Sequence, residues 1–144
     1  MIIRDILTIK GSEICAVSPS QTIADAIALM VQYDVGSLVV RQDGVMMGLL
    51  TERDVLRRLN ERGDSVVSQP VSAMMVTEPI IGHPDDTVDY VRGVMTENRV
   101  SHLPVMEGEN LLGVISFHDV ARACLNAADF ENQLLKRYIK HWPE

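Results

Sequence analysis

Apolar positions recur at helical spacing in two stretches of the chain, and each stretch begins at a threonine. The stripe after Thr22 comprises Ile23, Ala26, Ile27, Met30 and Val31, and the stripe after Thr87 comprises Val88, Val91 and Met95. A threonine at the N-cap accepts a hydrogen bond from a first-turn N–H group, and apolar residues at this spacing place one helix face on a core. The pattern therefore predicts two amphipathic helices.

Short runs of β-forming residues surround both helices. The predicted strands are Glu13–Val17, Ser37–Arg41 and Val45–Leu50 in the first half, and Glu78–Gly82, His102–Met106 and Leu111–Ile115 in the second. Asp43-Gly44 is a strong signal for a tight hairpin turn, whereas Glu107–Asn110 predicts a looser turn. Thr51 and Ser116 then begin a further helix in each half. Each half is thus predicted to be a β-α-β-β-α unit.

The two halves are copies of one another. With a shift of 65 residues, the stretch 19–58 aligns with 84–123 without a gap and with ten identities, among them Gly48 with Gly113 and Asp54 with Asp119. A unit of about 60 residues is small for a core of its own. We therefore predict an α+β (α/β) fold in which two repeats pack sheet to sheet with pseudo-twofold symmetry, leaving two equivalent clefts between them.

The repeat boundaries define the predicted domain organisation. Residues 1–62 form the first repeat, 63–72 a linker, 73–126 the second repeat, and 127–144 a C-terminal helix or tail. The tail has an apolar face at helical spacing, which either packs on its own module or meets a partner subunit.

Composition narrows the function classes. The 144 residues carry a net charge of −7, which disfavours nucleic-acid binding because that binding depends on neutralising phosphates. The two cysteines are far apart, no apolar run is long enough to span a membrane, and the N-terminus does not resemble a signal peptide. A cytoplasmic protein with two free thiols and no membrane partner is expected.

The duplicated motif with the most chemistry is glycine, two apolar residues, Ser or Thr, two variable residues and aspartate. It ends in Thr51 and Asp54 in the first repeat and in Ser116 and Asp119 in the second. One interpretation is a capping box at a helix N-terminus. The other is a carboxylate that accepts hydrogen bonds from a vicinal diol, as the acidic residue of dinucleotide-binding folds does for ribose. Both are compatible.

The chain from about Ile6 to Leu125 resembles a tandem pair of CBS (cystathionine β-synthase) repeats, also called a Bateman module. The resemblance is carried by VGSLVV with GLLTERDVLRRL, by NRVSHLPVMEGENLLGVISFHDVAR, and by QPVSAMMVTEP at the start of the second repeat. It implies an adenine nucleotide ligand (AMP, ADP, ATP or NAD(H), with S-adenosylmethionine as a further candidate) and no catalytic cofactor. It also implies a homodimer that signals to an unidentified protein partner.

The resemblance implies roles for individual residues. Asp54 with Thr51, and Asp119 with Ser116, would bind ribose hydroxyls. Adenine would lie against the first strand of each repeat, at Ala16, Val17, Ile81 and Gly82, and phosphates near Gly36-Ser37 and Ser101-His102. Arg53 and His118 are further candidate phosphate ligands because they occupy equivalent places inside the motif, and Arg99 and Lys10 are weaker ones. The first copy has no cation at Gly36 or Ser37, and Gly82 replaces a β-branched residue, so unequal clefts are predicted, with the Ser116/Asp119 cleft favoured.

No catalytic or metal motif accompanies these residues. The His and Cys residues lack ligand spacing, nucleophile and phosphate-loop motifs are missing, and Asp85 and Asp86 are best explained as helix-start acids. We therefore predict a non-enzymatic energy or redox sensor. The alternatives are an interaction module whose clefts stay empty and, third, an enzyme whose chemistry the sequence does not reveal.

Overall fold

The computed structural model describes residues 1–11 and 13–126, so the predicted tail helix lies outside the described residues. The helices are α1 (Ile3–Lys10), α2 (Ile23–Tyr33), α3 (Glu52–Arg62), α4 (Val88–Asn98) and α5, which is helical over 117–126. The strands are β1 (Ala16–Val17), β2 (Ser37–Gln42), β3 (Val45–Thr51), β4 (His102–Glu107) and β5 (Asn110–Ser116). Two short 3₁₀ segments, Gly63–Ser68 and Val71–Ala73, connect the repeats.

Both repeats form the same small sheet. β1 pairs in parallel with β2, and β2 pairs with β3 as an antiparallel hairpin. β4 and β5 form the equivalent hairpin, and a single parallel bridge from Gly82 to Val105 takes the place of β1. The first strand of each repeat is therefore shorter than the five residues predicted, while the four hairpin strands agree closely with the prediction.

The predicted difference between the hairpin turns is wrong. Gln42 pairs with Val45 across Asp43-Gly44, and Glu107 pairs with Asn110 across an equally short connection. Asp43, Gly44 and Gly108 all have positive φ (52°, 78° and 61°). Glycine tolerates this backbone at little steric cost, so Gly108 permits a two-residue turn without the Asp-Gly signal.

Both predicted stripes face a core, with one correction. Val88, Val91 and Met95 of α4 are all buried, as are Ile23, Ala26 and Met30 of α2, but Val31 is 76% exposed. At 3.6 residues per turn, eight residues from Ile23 to Val31 end about 80° away around the helix, whereas seven residues to Met30 end only about 20° away. The core face of α2 therefore follows i, i+3 and i+7.

The segment that precedes each repeat packs on the other repeat. Ile3, Ile6 and Leu7 of α1 belong to the core of the second repeat, together with Val105 and Ile115. In the other direction, Val71 and Met74 belong to the core of the first repeat. By packing, residues 3–10 thus join the second repeat although the sequence division placed them within 1–62. This exchange ties the repeats into one unit.

No helix in the described residues has the length and apolar content needed to cross a membrane.

Two unequal clefts between the repeats

The duplicated motifs stand where a strand runs into a helix, and both form capping boxes. Asp54 N–H donates to Thr51 Oγ1 (3.2 Å) while Thr51 N–H donates to Asp54 Oδ2 (3.0 Å). In the second repeat Asp119 N–H donates to Ser116 Oγ (3.1 Å) and Ser116 N–H donates to Asp119 Oδ2 (2.8 Å). The capping interpretation is therefore confirmed. Among the described residues neither Oδ1 atom accepts a hydrogen bond, which leaves each carboxylate able to bind a further group.

The first cleft is a cavity of about 1080 Å³ beside Thr51 and Asp54. Its other residues come from β3 and α3 of the first repeat, from the segment that enters the second repeat, and from the turn after α4: Leu49, Glu52, Arg53, Leu56, Arg57, Asn60, Val76, Glu78, Pro79, Ile80, Asn98, Arg99, Val100, Ser101 and His102. Both repeats therefore supply its walls.

Three arginines line the first cleft, together with the carboxylates of Glu52, Asp54 and Glu78. Arg53 and Arg57 lie one helical turn apart on α3, and Arg99 enters from the second repeat. In the described part of the chain none of them forms a salt bridge. Guanidinium groups without a carboxylate partner are suited to bind phosphate oxygens.

The second cleft is smaller, about 420 Å³, and lies beside Ser116 and Asp119. Its other residues are Lys10, Glu13, Ile14, Cys15, Asp34, Val35, Gly36, Ser37, Val39, Glu52, His102, Val114 and His118. It contains no arginine among the residues that the structure describes.

A lysine from α1 binds the carboxylate of the second cleft. Lys10 Nζ donates to Asp119 Oδ2 at 2.7 Å and to the backbone oxygen of Val114 at 2.8 Å. Burial alone would raise the pKa of the Asp119 carboxyl, but the hydrogen bonds from Lys10 and Ser116 outweigh it and lower this pKa below its ordinary value. Asp119 is therefore an ionised partner of Lys10, whereas Asp54 has no cation bound to it in the described structure.

His102 lies between the clefts and lines both of them. Its ring lies against Gly36, where a β-carbon would be 3.0 Å from ring atoms and 3.1 Å from Glu52 Oε1. Its Nδ1 atom is buried and has no hydrogen-bond partner. The pKa of His102 is lowered, mainly because the ring is buried. The nearby charge of Lys10 also lowers it, whereas Glu52 and Asp119 act to raise it. Phosphate contacts are predicted near Gly36, but the ring of His102, from the other repeat, already occupies the space beside Gly36.

The predicted ribose and phosphate residues all line a cleft. Thr51, Asp54, Arg53 and Ser101 line the first, Ser116, Asp119, Ser37 and His118 line the second, and His102 lines both.

The predicted adenine residues Ala16, Val17, Ile81 and Gly82 line neither cleft, and their role in binding adenine stays a prediction. Val17 is buried in the first core, and a β-carbon at Gly82 would lie 2.7 Å from Leu103 Cδ2. A side chain at Gly82 would therefore require Leu103 to shift. The segments that do line the clefts are 13–15 and 78–80, which are again 65 residues apart.

Sequence reasoning missed or undervalued three cations. Arg57 was not singled out, although it is one of the ten repeat identities and follows Arg53 by four residues, on the same helix face. Arg99 and Lys10 were only weaker candidates, and nothing in their local sequence indicates which cleft they reach. Their placement depends on the turn after α4 and on the packing of α1.

One exposed group of potential metal ligands exists in the described residues. His83, Asp85 and Glu107 bring ligand atoms within 4.8 Å of one another. Arg4 forms salt bridges with Asp85 and Glu107, both at 3.2 Å, so a guanidinium already supplies the positive charge there. The group lies outside both clefts.

Comparison with known proteins identifies the family. CBS domain-containing protein YhcV of Bacillus subtilis is 34% identical over 119 residues, which covers 83% of this chain and 82% of the relative. The mitochondrial protein CBSX3 of Arabidopsis thaliana is 36% identical over 124 residues, which covers 83% of this chain and 60% of that protein.

Solved structures show the same architecture. The CBS-domain containing protein ATU1752 of Agrobacterium tumefaciens matches with a TM-score of 0.83 and 32% identity, over 85% of this chain and 98% of that one. The CBS domain pair of MJ0100, in complex with 5′-methylthioadenosine and S-adenosyl-L-methionine, matches with a TM-score of 0.77 at 19% identity, over 88% of this chain and 98% of that one, and shows likeness of fold alone. Residues 3–61 and 71–126 match the CBS domain. The chain is therefore a tandem pair of CBS repeats and belongs to the CBS domain family.

Proposed function

We propose that the chain is a regulatory module that binds an adenine nucleotide in the first cleft and does not transform it. The observation that carries this proposal is the composition of that cleft. An available carboxylate oxygen of Asp54 stands at a helix start, and three arginines without salt-bridge partners in the described structure line the same cleft.

Ribose is the group that fits Asp54. Because the capping hydrogen bonds go to Oδ2, Oδ1 is left to accept from a hydroxyl of a vicinal diol. The capping box also fixes the carboxylate, so little side-chain entropy remains to be lost on binding. Thr51 orients Asp54 through both its N–H and its hydroxyl group.

Phosphates are the groups that fit Arg53, Arg57 and Arg99. Arginines from both repeats line the same cleft, and bidentate guanidinium–phosphate hydrogen bonds are strong. This set favours AMP, ADP, ATP or NAD(H) over S-adenosylmethionine, whose sulfonium group is itself cationic. Val76, Pro79 and Ile80 supply the apolar surface on which an adenine ring would lie. That MJ0100 binds adenosine compounds with the same fold supports an adenosine-type ligand here.

Regulation follows from the shared walls of the first cleft. A ligand that contacts α3 of the first repeat and the turn after α4 of the second stabilises one arrangement of the repeats. The ligand increases the population of that arrangement only by the difference between its affinity for that arrangement and its affinity for the others. We propose that this change is passed to an unidentified protein partner, through a homodimer, as an energy or redox signal.

Thermal unfolding with AMP, ADP, ATP, NAD⁺, NADH and S-adenosylmethionine tests the proposal. A nucleotide at 100 times its Kd should stabilise the protein by about 2.7 kcal/mol, a Tm increase of roughly 5–10 °C for a chain of 144 residues. Nucleotide incubated with the protein should be recovered unchanged.

A matched pair of variants assigns the cleft. Because a hydrogen bond to a charged group contributes about 1.5–3 kcal/mol, Asp54→Asn should weaken binding about 10- to 100-fold. Asp119→Asn should leave binding nearly unchanged. Equal weakening by both variants would contradict the assignment to the first cleft. No Tm change with any ligand would instead favour an interaction module whose clefts stay empty.

A further inference from the structure

The two clefts differ most at the backbone oxygen of the motif's second residue, which follows the glycine. In the first repeat Leu49 exchanges two backbone hydrogen bonds with Val76, both 2.9 Å long. The equivalent residue of the second repeat is Val114, and its oxygen accepts from Lys10 Nζ at 2.8 Å. A side-chain ammonium group therefore stands where the first cleft has backbone.

Lys10 is held there by the fold. It is the last residue of α1, and α1 is fixed by the buried side chains of Ile3, Ile6 and Leu7. Leu7 packs directly on β5, because its Cδ2 lies 2.9 Å from the β-carbon position of Gly113. A helix anchored in this way places Lys10 where its ammonium group reaches Asp119.

The ammonium group changes what the second cleft can bind. Its two hydrogen bonds join the carboxylate of the motif to the strand that precedes it. The side chain of Asp119 is 21% exposed and that of Lys10 is 38% exposed, so the carboxylate is better shielded from water than the ammonium group. A ribose that approached Asp119 would have to displace or share a cation that already compensates the carboxylate.

We propose that Lys10 is an internal counter-ion that closes the second cleft to nucleotides, so that each chain binds one nucleotide and binds it in the first cleft. This inference rests on the proposed function for the first cleft. It also reverses the prediction from sequence, which favoured the cleft of Ser116 and Asp119.

Isothermal titration calorimetry of the full chain with AMP and with ATP tests it. Lys10→Met keeps an unbranched apolar stem and removes the charge. The wild type should bind about one nucleotide per chain, and Lys10→Met should bind a second, with affinity at that site at least about tenfold higher than in the wild type, or about 1.4 kcal/mol. Combining Lys10→Met with Asp119→Asn should remove the added site.

Arg4→Met is the matched control. Arg4 is the other cation of α1, but it pairs with Asp85 and Glu107 and lines neither cleft, so its loss should leave the stoichiometry at one. A wild type that binds two nucleotides overturns the inference, as does a Lys10→Met chain that gains no site or binds more weakly. A wild type that binds none contradicts the proposed function instead. The inference is then decided by whether Lys10→Met creates a site.

Discussion

The first and second clefts are built by copies of one motif, yet different segments complete them. Beside Asp54, the non-helical segment 76–80 contributes Val76, Glu78, Pro79 and Ile80 to the wall of the cleft and leaves room for a ligand. Beside Asp119, a helix ends at Lys10 and its side chain fills the corresponding place. Both completing segments lie before the strand–helix–hairpin unit of a repeat. A duplicated motif therefore does not ensure a duplicated site, because residues outside the motif decide what its carboxylate meets.

Two glycines show the same contrast in packing. A β-carbon at Gly48 would lie 2.7 Å from the backbone oxygen of Val76, whereas one at Gly113 would lie 2.9 Å from Cδ2 of Leu7. Gly48 therefore packs against backbone, whereas Gly113 packs against the end of a side chain. The two positions are identical in sequence but differ in how far their neighbours can move.

The largest expected effect tests whether α1 is part of the second core. Ile3 is fully buried, so Ile3→Ala should lower the free energy of unfolding by about 2–5 kcal/mol. Ile9 lies on the same helix and is 79% exposed, so Ile9→Ala should change it by less than about 0.5 kcal/mol. Urea denaturation measures both. If Ile3→Ala were as mild as Ile9→Ala, α1 would not contribute to the core, and the anchoring of Lys10 would fail with it.

The second effect compares the two glycines directly. Gly48→Ala should destabilise the protein by about 1–3 kcal/mol, because relieving the clash requires the backbone at Val76 to shift. Gly113→Ala should cost less than about 1 kcal/mol, because Leu7 can rotate and alanine restricts the unfolded chain. Chemical denaturation of the pair gives the difference. An equal loss in both variants would show that α1 is held as rigidly against β5 as the backbone at Val76 is against β3.

The sequence predicted the fold better than it predicted the site. The repeat identities and the N-cap residues predict the four helices α2, α3, α4 and α5, because these signals are local and occur twice. The sequence did not indicate that residues 13–15 and 78–80 line the clefts, since the burial of Val17 and the contact of Gly82 with Leu103 follow from tertiary packing. Lys10 could not be assigned to a cleft, because its position depends on a helix that crosses to the other repeat.

The smallest effect concerns His102, which has Ser37 as its equivalent in the first repeat. Because burial lowers the pKa of His102, the unfolded chain binds the proton more readily than the folded one between the folded pKa and the ordinary value of about 6.5. Stability should therefore fall as the pH drops below about 6.5 and through the folded pKa, with no further loss from this group below it. His102→Gln should flatten this part of the curve of Tm against pH. A slope that survives in His102→Gln would mean that Glu52 and Asp119, which act to raise this pKa, offset the burial of the ring. The packing of His102 between the two clefts would then not depend on pH, and its equivalent Ser37 carries no group that titrates in this range.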